Sequence, residues 1–176
     1  MTVDEYLAWS ESQSELKRTE LINGQVVVMA AERVAHNRIK IAALIALREA
    51  VAAAGCPCEV LTEGVSVKID DHTAYEPDAL VHCGERLPGA TMLASHPVII
   101  VEVLSPTTRH SDTSAKLIGY FKLPSPSVAH YLAIDPETRA ITHHKRSGVP
   151  NILTEGPLRL DPPGLDLTVE DLLGPA

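Results

Sequence analysis

Aromatic side chains are scarce in this chain: its 176 residues include one Phe, one Trp and four Tyr. That scarcity excludes a nucleic-acid platform built from rows of stacking rings. Cysteine is equally thin, with Cys56, Cys58 and Cys83 the whole complement. An odd count holding one C-x-C pair is a poor disulfide framework and misses the usual zinc spacing. All three are expected as buried, reduced thiols. Positive charge is in deficit, with 15 Lys and Arg against 23 Asp and Glu and a net charge of −8. Gripping duplex phosphates needs clustered Lys and Arg, so the bulk charge argues against that as the main task. Long apolar runs are missing as well: the richest, Ile39 to Ala54, is broken by Lys40, Arg48 and Glu49, too short and too charged to span a bilayer. The opening Met1-Thr2-Val3-Asp4-Glu5 carries no basic region followed by an apolar one, and the expectation is a cytoplasmic protein. No Gly-rich phosphate cradle is present, so use of a nucleotide triphosphate is not expected. Ser105-Pro106 lacks the flanking glycines of a nucleophile elbow, which argues against a serine hydrolase.

Against these absences stands a hydrophobic fraction of 45% with 22% charged residues, enough to bury a core. At about 150 residues per domain, one domain spanning 1–176 is expected, with a core over about 15–146 and a Pro- and Gly-rich tail at 150–176. Thr2-Val3-Asp4-Glu5 has the form of a capping box and opens a short helix to about Ser10. Asn23-Gly24 between two β-prone runs predicts a hairpin, because both residues accept positive φ. Apolar residues at Ile39, Ala43, Leu44, Leu47 and Val51 share one helical face, which predicts a long helix from about Glu32 to Ala54 with Gly55 as its C-cap. Strands are expected at 59–62, 65–69, 79–83 and 98–104, the last nearly all β-branched and so buried on both faces. A helix from Ser111 or Asp112 to about Leu123 follows, ended by Pro124 and Pro126. Two more strands, 130–135 and 139–145, flank the turn Pro136-Glu137-Thr138, and Thr168 caps a short helix at 169–173. The pattern reads as α/β (α+β): a mixed sheet with helices packed on it.

One charge breaks that apolar pattern. Glu102 sits inside Val98-Ile99-Ile100-Val101-Glu102-Val103-Leu104, where a lone carboxylate is costly without a cation or a donor. Upstream, Glu76-Pro77-Asp78 leads straight into the strand 79–83. If the two strands pair, Asp78 and Glu102 converge at one sheet edge. Two carboxylates with a strand carbonyl make a hard-oxygen site suited to magnesium or manganese. Downstream, Asp112, Lys116 and Tyr120 recur at i, i+4 and i+8 on one helix face, so Lys116 can extend its ammonium toward the same cleft. Simpler readings stand beside these: Asp78 as a strand-entry turn residue, and Asp112 with Lys116 as a surface ion pair. Asp70-Asp71-His72 reads as a turn. His143 and His144, adjacent in a strand, point to opposite faces and cannot chelate one ion together.

Taken in order, Tyr75-Glu76-Pro77-Asp78, then Val101-Glu102-Val103-Leu104-Ser105-Pro106-Thr107-Thr108, then Asp112, Lys116 and Tyr120 resemble the Uma-type restriction endonucleases, a branch of the PD-(D/E)XK nuclease superfamily. Glu20-Leu21-Ile22-Asn23-Gly24, His36 and Ala129-His130-Tyr131-Leu132-Ala133-Ile134-Asp135 fit the same family, so the likeness covers about residues 1–145. The resemblance implies a restriction-endonuclease-like fold, a mixed central β-sheet flanked by helices with the site at one sheet edge. It implies Asp78, Glu102 and Lys116 as catalytic residues and a Mg2+ or Mn2+ ion held by Asp78, Glu102 and the Val103 carbonyl. Glu20, His36, Asp112 and Tyr120 would then stand behind the ligands or face the substrate; for His36 a purely structural hydrogen bond is the other reading. The sequence departs from the superfamily string at Leu104, where a lysine is expected, and the lysine moves to Lys116 on the next helix.

The implied activity is metal-dependent hydrolysis of DNA phosphodiesters by an endonuclease. Two other classes compete: a catalytically degenerate nuclease fold that binds or dimerises, and a phosphodiesterase acting on a smaller substrate. Single-site cleavage of both strands of a duplex calls for two copies, so a homodimer is expected, and Leu165 to Leu173 would either join that contact or cover the core. Basic residues gather at Arg33, Arg38 and Lys40, at Arg109, Lys116 and Lys122, and at Arg139, Lys145 and Arg146. A local positive rim on an acidic body would bind DNA weakly and lose it quickly with salt.

Overall fold

A reciprocal capping box starts the chain: Thr2 Oγ1 accepts from the Glu5 N–H at 3.2 Å and Glu5 Oε2 from the Thr2 N–H at 2.7 Å. It opens α1 (Val3–Ser12). The computed structural model describes residues 1–13, 18–105, 112–124 and 127–175. β1 (Thr19–Ile22) and β2 (Gln25–Val28) form the expected antiparallel hairpin, with Asn23 at φ 49° and Gly24 at φ 78° supplying its turn. α2 (Val34–Ala54) is the long helix and ends on Gly55 in the left-handed conformation.

β3 (Cys58–Thr62), β6 (Ala79–Cys83) and β7 (Pro97–Val103) follow, then α3 (Asp112–Lys122), β8 (His130–Asp135) and β9 (Ala140–Lys145). Between β3 and β6 the chain makes a hairpin of β4 (Val67–Asp70) and β5 (Thr73–Tyr75) around Asp71 and His72. β5 is three residues long and lacks the alternation that marks a strand in sequence. The tail at 150–176, expected only as Pro- and Gly-rich chain before the last short helix, also holds β10 (Asn151–Leu153), β11 (Pro157–Leu160) and β12 (Leu165–Thr168), leading into α4 (Val169–Leu173).

The strands divide into a six-stranded mixed sheet, ordered β10-β9-β8-β7-β6-β3, a four-stranded sheet, β2-β1-β5-β4, and the β11-β12 hairpin. β7 lies inside the larger sheet, antiparallel to β6 and parallel to β8. Its alternate residues serve two cores. Ile99, Val101 and Val103 pack toward α2 together with Leu158, Leu160, Leu165, Leu172 and Leu173 of the tail. Ile100 packs on the other face with Tyr120 of α3, Leu80 and Tyr131. Leu165 to Leu173 thus covers the core. Glu102 has the parity of Ile100 and faces α3.

The expectation for the cysteines is corrected. Cys58 and Cys83 are directly opposed in the β3–β6 register and form a disulfide, while Cys56 is free. The sequence shows the C-x-C spacing, whereas the pairing depends on strand register.

Candidate functional site

The site is assembled by strand register. Ala79 pairs with Val101, so Asp78, one residue upstream, reaches the end of β7 beside Glu102. Asp78 Oδ2 accepts the Val103 N–H at 2.7 Å. Its Oδ1 meets Arg18 Nη2 at 3.1 Å and Lys40 Nζ at 3.5 Å. Burial alone would raise the Asp78 pKa, but His36, the Val103 N–H and Arg18 outweigh it and hold the carboxyl well below the usual carboxylate range.

Glu102 has the opposite balance. It is 8% exposed, and burial pushes its pKa up to about 8 against the pull of Lys116, with Asp78 and Glu20 raising it further. Lys116 Nζ lies 3.2 Å and 3.3 Å from its two carboxylate oxygens. The Tyr120 hydroxyl donates to Glu102 Oε1 at 3.1 Å. The i, i+4 spacing of Lys116 and Tyr120 delivers both groups from one face of α3. α3 can come this close because residue 119 is glycine: a Cβ there would sit 2.8 Å from the Tyr75 ring.

Glu20 arrives from the smaller sheet, where Leu21 of β1 pairs with Ala74 of β5. It is fully buried. Its Oε1 accepts from Lys116 Nζ at 2.8 Å and from the Glu76 N–H at 2.9 Å, whereas its Oε2 has no hydrogen-bond partner. Asp78, Glu102, Lys116, Tyr120 and Glu20 therefore form one buried junction. Asp112 begins α3, but its side chain lies outside the described residues. The Val103 N–H is committed to Asp78.

A second set of groups, which sequence reasoning largely missed, lies on the α2 side of Asp78. Arg18 reaches Glu32, Glu63 and Glu76 as well as Asp78. Lys40, expected on a positive rim, is instead 5% exposed, bonded to Glu32 at 2.9 Å and 3.0 Å and paired with Glu63. The readable signal was Glu32, His36 and Lys40 at i, i+4 and i+8, the same polar stripe that drew attention to α3. Arg18 and Glu63 carry no such periodic mark. Among the described residues, Glu32, His36 and Asp78 form a group whose donor atoms all fall within 4.8 Å of one another.

The rest of the expected rim divides between engaged and exposed residues. Arg139 donates to the Gly174 carbonyl at 2.6 Å, and Arg146 donates to the carbonyls of Phe121, Leu123 and Ser127. Arg33, Arg38, Lys122 and Lys145 are exposed, and Arg109 lies outside the described residues. Asp70-Asp71-His72 is a turn, with Asp70 Oδ1 accepting the His72 N–H at 2.8 Å. His143 is 3% exposed and shares a 2.9 Å hydrogen bond with His130, while the His144 ring lies against Tyr131 on the other face of β9. Among the described residues, no helix is long and apolar enough to cross a membrane.

Comparison with known proteins bears on this arrangement. The family model Uma2, described as "Putative restriction endonuclease", matches residues 3–171. The chain belongs to the Uma2 family. A solved structure titled as a putative nuclease belonging to DUF820, from Anabaena variabilis ATCC 29413, is similar with a TM-score of 0.79. It is 18% identical, and the match covers 98% of this chain and 97% of that one. That likeness extends over the whole restriction-endonuclease-like fold. In sequence, an uncharacterized protein of Synechocystis sp. is 28% identical over 147 residues, 82% of this chain and 74% of that protein. Membership in Uma2 gives the protein a nuclease-like character.

Proposed function

We propose that this Uma2 protein is a metal-dependent DNA endonuclease whose site is the junction of Asp78, Glu102 and Lys116. The observation that carries the reading is a charge imbalance. Among the described residues, six carboxyl groups, Glu20, Glu32, Glu63, Glu76, Asp78 and Glu102, meet three permanent cations, Arg18, Lys40 and Lys116, and burial holds Glu102 largely protonated. The described acids outnumber the described cations, and a further cation would let Glu102 ionise beside Glu20 and Asp78. The donor set also fits a small divalent ion, because carboxylate oxygens suit Mg2+ or Mn2+. The unpartnered Glu20 Oε2 supports the same conclusion. Asp78 and Glu102 would hold the ion, with the Val103 carbonyl as a third donor.

A bound divalent ion would supply an acidified water and a counter-charge for the phosphate. The chain's own groups do the remainder. Lys116 keeps its ammonium between Glu20 and Glu102, aimed at the place where negative charge develops on the phosphate oxygens. Glu20 anchors that ammonium from behind and is itself fixed by the Glu76 N–H. Tyr120 orients Glu102 through Oε1, which leaves Oε2 to face the reacting groups beside Lys116. Burial holds Glu102 largely protonated without a further cation, so it would give up that proton as the ion binds.

Duplex DNA, bound weakly and in a salt-sensitive way, is the proposed substrate, and a homodimer is the proposed assembly for cutting both strands. A non-catalytic reading has its own support in the degree to which Arg18, Lys40 and Lys116 already pair with the acids. The test incubates supercoiled plasmid, single-stranded DNA and a small phosphodiester with wild type and Asp78→Asn in Mg2+, Mn2+ or chelator. The expected result is metal-dependent cutting of DNA that Asp78→Asn abolishes. No cutting of any DNA would favour the binding protein, and turnover of the small diester alone would favour the smaller-substrate enzyme.

A further inference from the structure

Among the groups paired with Asp78, one faces it without making a hydrogen bond of ordinary geometry. His36 stands in the first turn of α2, is 9% exposed, and its Nε2 is buried without a hydrogen-bond partner. That nitrogen lies 3.4 Å from Asp78 Oδ2 and 3.8 Å from Glu32 Oε1. A buried ring nitrogen normally finds a donor or an acceptor, because leaving it unmade costs about 1–3 kcal/mol. Both of these atoms are carboxylate oxygens, one from the residue four positions earlier and one from the β6 entry. Around an octahedral ion with bonds of about 2.1 Å, adjacent donors stand about 3.0 Å apart and opposite donors about 4.2 Å apart. The His36 spacings fall inside that span.

We infer that Glu32 and His36 complete the ligand set of the ion held by Asp78, and that the imidazole nitrogen makes the site select Mn2+ over Mg2+. The inference rests on the reading of Asp78 as a metal ligand and adds the identity of the metal. An all-oxygen set suits Mg2+ well, whereas a nitrogen donor favours a transition ion. The elements are built for the purpose. α2 carries His36 at i+4 from Glu32, and the β6–β7 register fixes Asp78 through the Val103 N–H. Arg18 and Lys40 fix Asp78 Oδ1 and Glu32 Oε1, the Glu32 oxygen that also faces the ring, and a bound ion would share that oxygen with them.

The experiment reads metal binding without DNA. Titration calorimetry with MnCl2 and with MgCl2 on wild type is expected to give Mn2+ an affinity at least about tenfold tighter. In His36→Gln and in Glu32→Gln, Mn2+ affinity is expected to fall at least about tenfold, with the Mg2+ affinity of His36→Gln changed far less. Electron spin-echo modulation on Mn2+-loaded wild type, in nitrogen-free buffer, needs no variant and is expected to register a coordinated nitrogen that His36→Gln removes. Equal affinity for the two ions, absence of nitrogen modulation, or modulation that persists in His36→Gln would overturn the assignment. Nitrogen coordination without DNA cutting would leave this site standing and remove the nuclease. DNA cutting with no nitrogen on the metal would do the reverse.

Discussion

Asp78 and Glu102 are neighbours with opposite electrostatic fates. Asp78 collects an N–H, an imidazole and two cations, so its charged form stabilises the fold. Glu102 is buried with two other carboxylates nearby, so Lys116 alone leaves its charge disfavoured and a further cation would be needed to favour it. In chelator at pH 7.5, Asp78→Asn is expected to cost about 1–3 kcal/mol, because the Val103 N–H and Arg18 Nη2 lose a charged acceptor in a buried place. Glu102→Gln is expected to leave stability unchanged or raise it. Urea denaturation of both variants checks this, and equal losses would contradict it. A second residue-scale prediction concerns His143, whose pKa is lowered by burial from 6.5 to about 4, with His130 adding to the shift. Above pH 6.5 the ring is neutral in folded and unfolded chains alike. Below it the unfolded chain protonates first, so stability falls as pH drops from 6.5 toward 4, by at most about 3 kcal/mol from this group. In His143→Gln the same titration of stability is expected to flatten.

At the scale of elements, α3 matters through its distance from β7. Gly119 lets the helix approach Tyr75, whose ring lies 5.5 Å from that of Tyr120 and 5.7 Å from Lys116 Nζ. Gly119→Ala would place its methyl at the Tyr75 ring and lift Lys116 away from Glu102. Overpacking of this kind costs about 1–3 kcal/mol, set against a helix-propensity gain of about 1 kcal/mol. Net destabilisation with at least about tenfold slower cutting is expected, and the smaller ring site of Tyr75→Leu should restore part of both. A fully active, more stable Gly119→Ala would mean that α3 does not set the position of the lysine. The i, i+4, i+8 stripe of α3 was legible in sequence because helix periodicity is local. The equivalent stripe on α2 was hidden by the apolar pattern of Ile39, Ala43 and Leu47, which made that helix look like core alone.

At the scale of the whole molecule, the restriction-endonuclease-like fold was readable because its longest elements carry strong periodicity and their order is fixed by the chain. Glu102 in β7 was the decisive single letter, since a carboxylate in that company needed a partner. Register-dependent features were out of reach. The Cys58–Cys83 disulfide, the arrival of Glu20 from a second sheet and the Arg18 hub all depend on strands meeting across the fold. The short β5 and the tail strands have too few residues to show a period. The net charge of −8 remains a whole-molecule constraint, and with Arg139 and Arg146 tied to carbonyls the basic rim is thinner than the sequence suggested. DNA affinity measured by fluorescence anisotropy should therefore be weak and fall at least about tenfold between 50 and 200 mM salt. Salt-independent binding would point to recognition that does not involve phosphates.

The central claim is that one junction of Asp78, Glu102 and Lys116 performs metal-dependent phosphodiester cleavage. Single-turnover cutting of a supercoiled plasmid tests it most directly, with wild type, Asp78→Asn and Lys116→Ala compared at one saturating Mn2+ concentration and folding checked by circular dichroism. The account predicts cutting by wild type that chelator stops, a loss of at least about a thousandfold in Asp78→Asn, and a loss of about a hundredfold in Lys116→Ala. Wild-type rates persisting in both folded variants would contradict it.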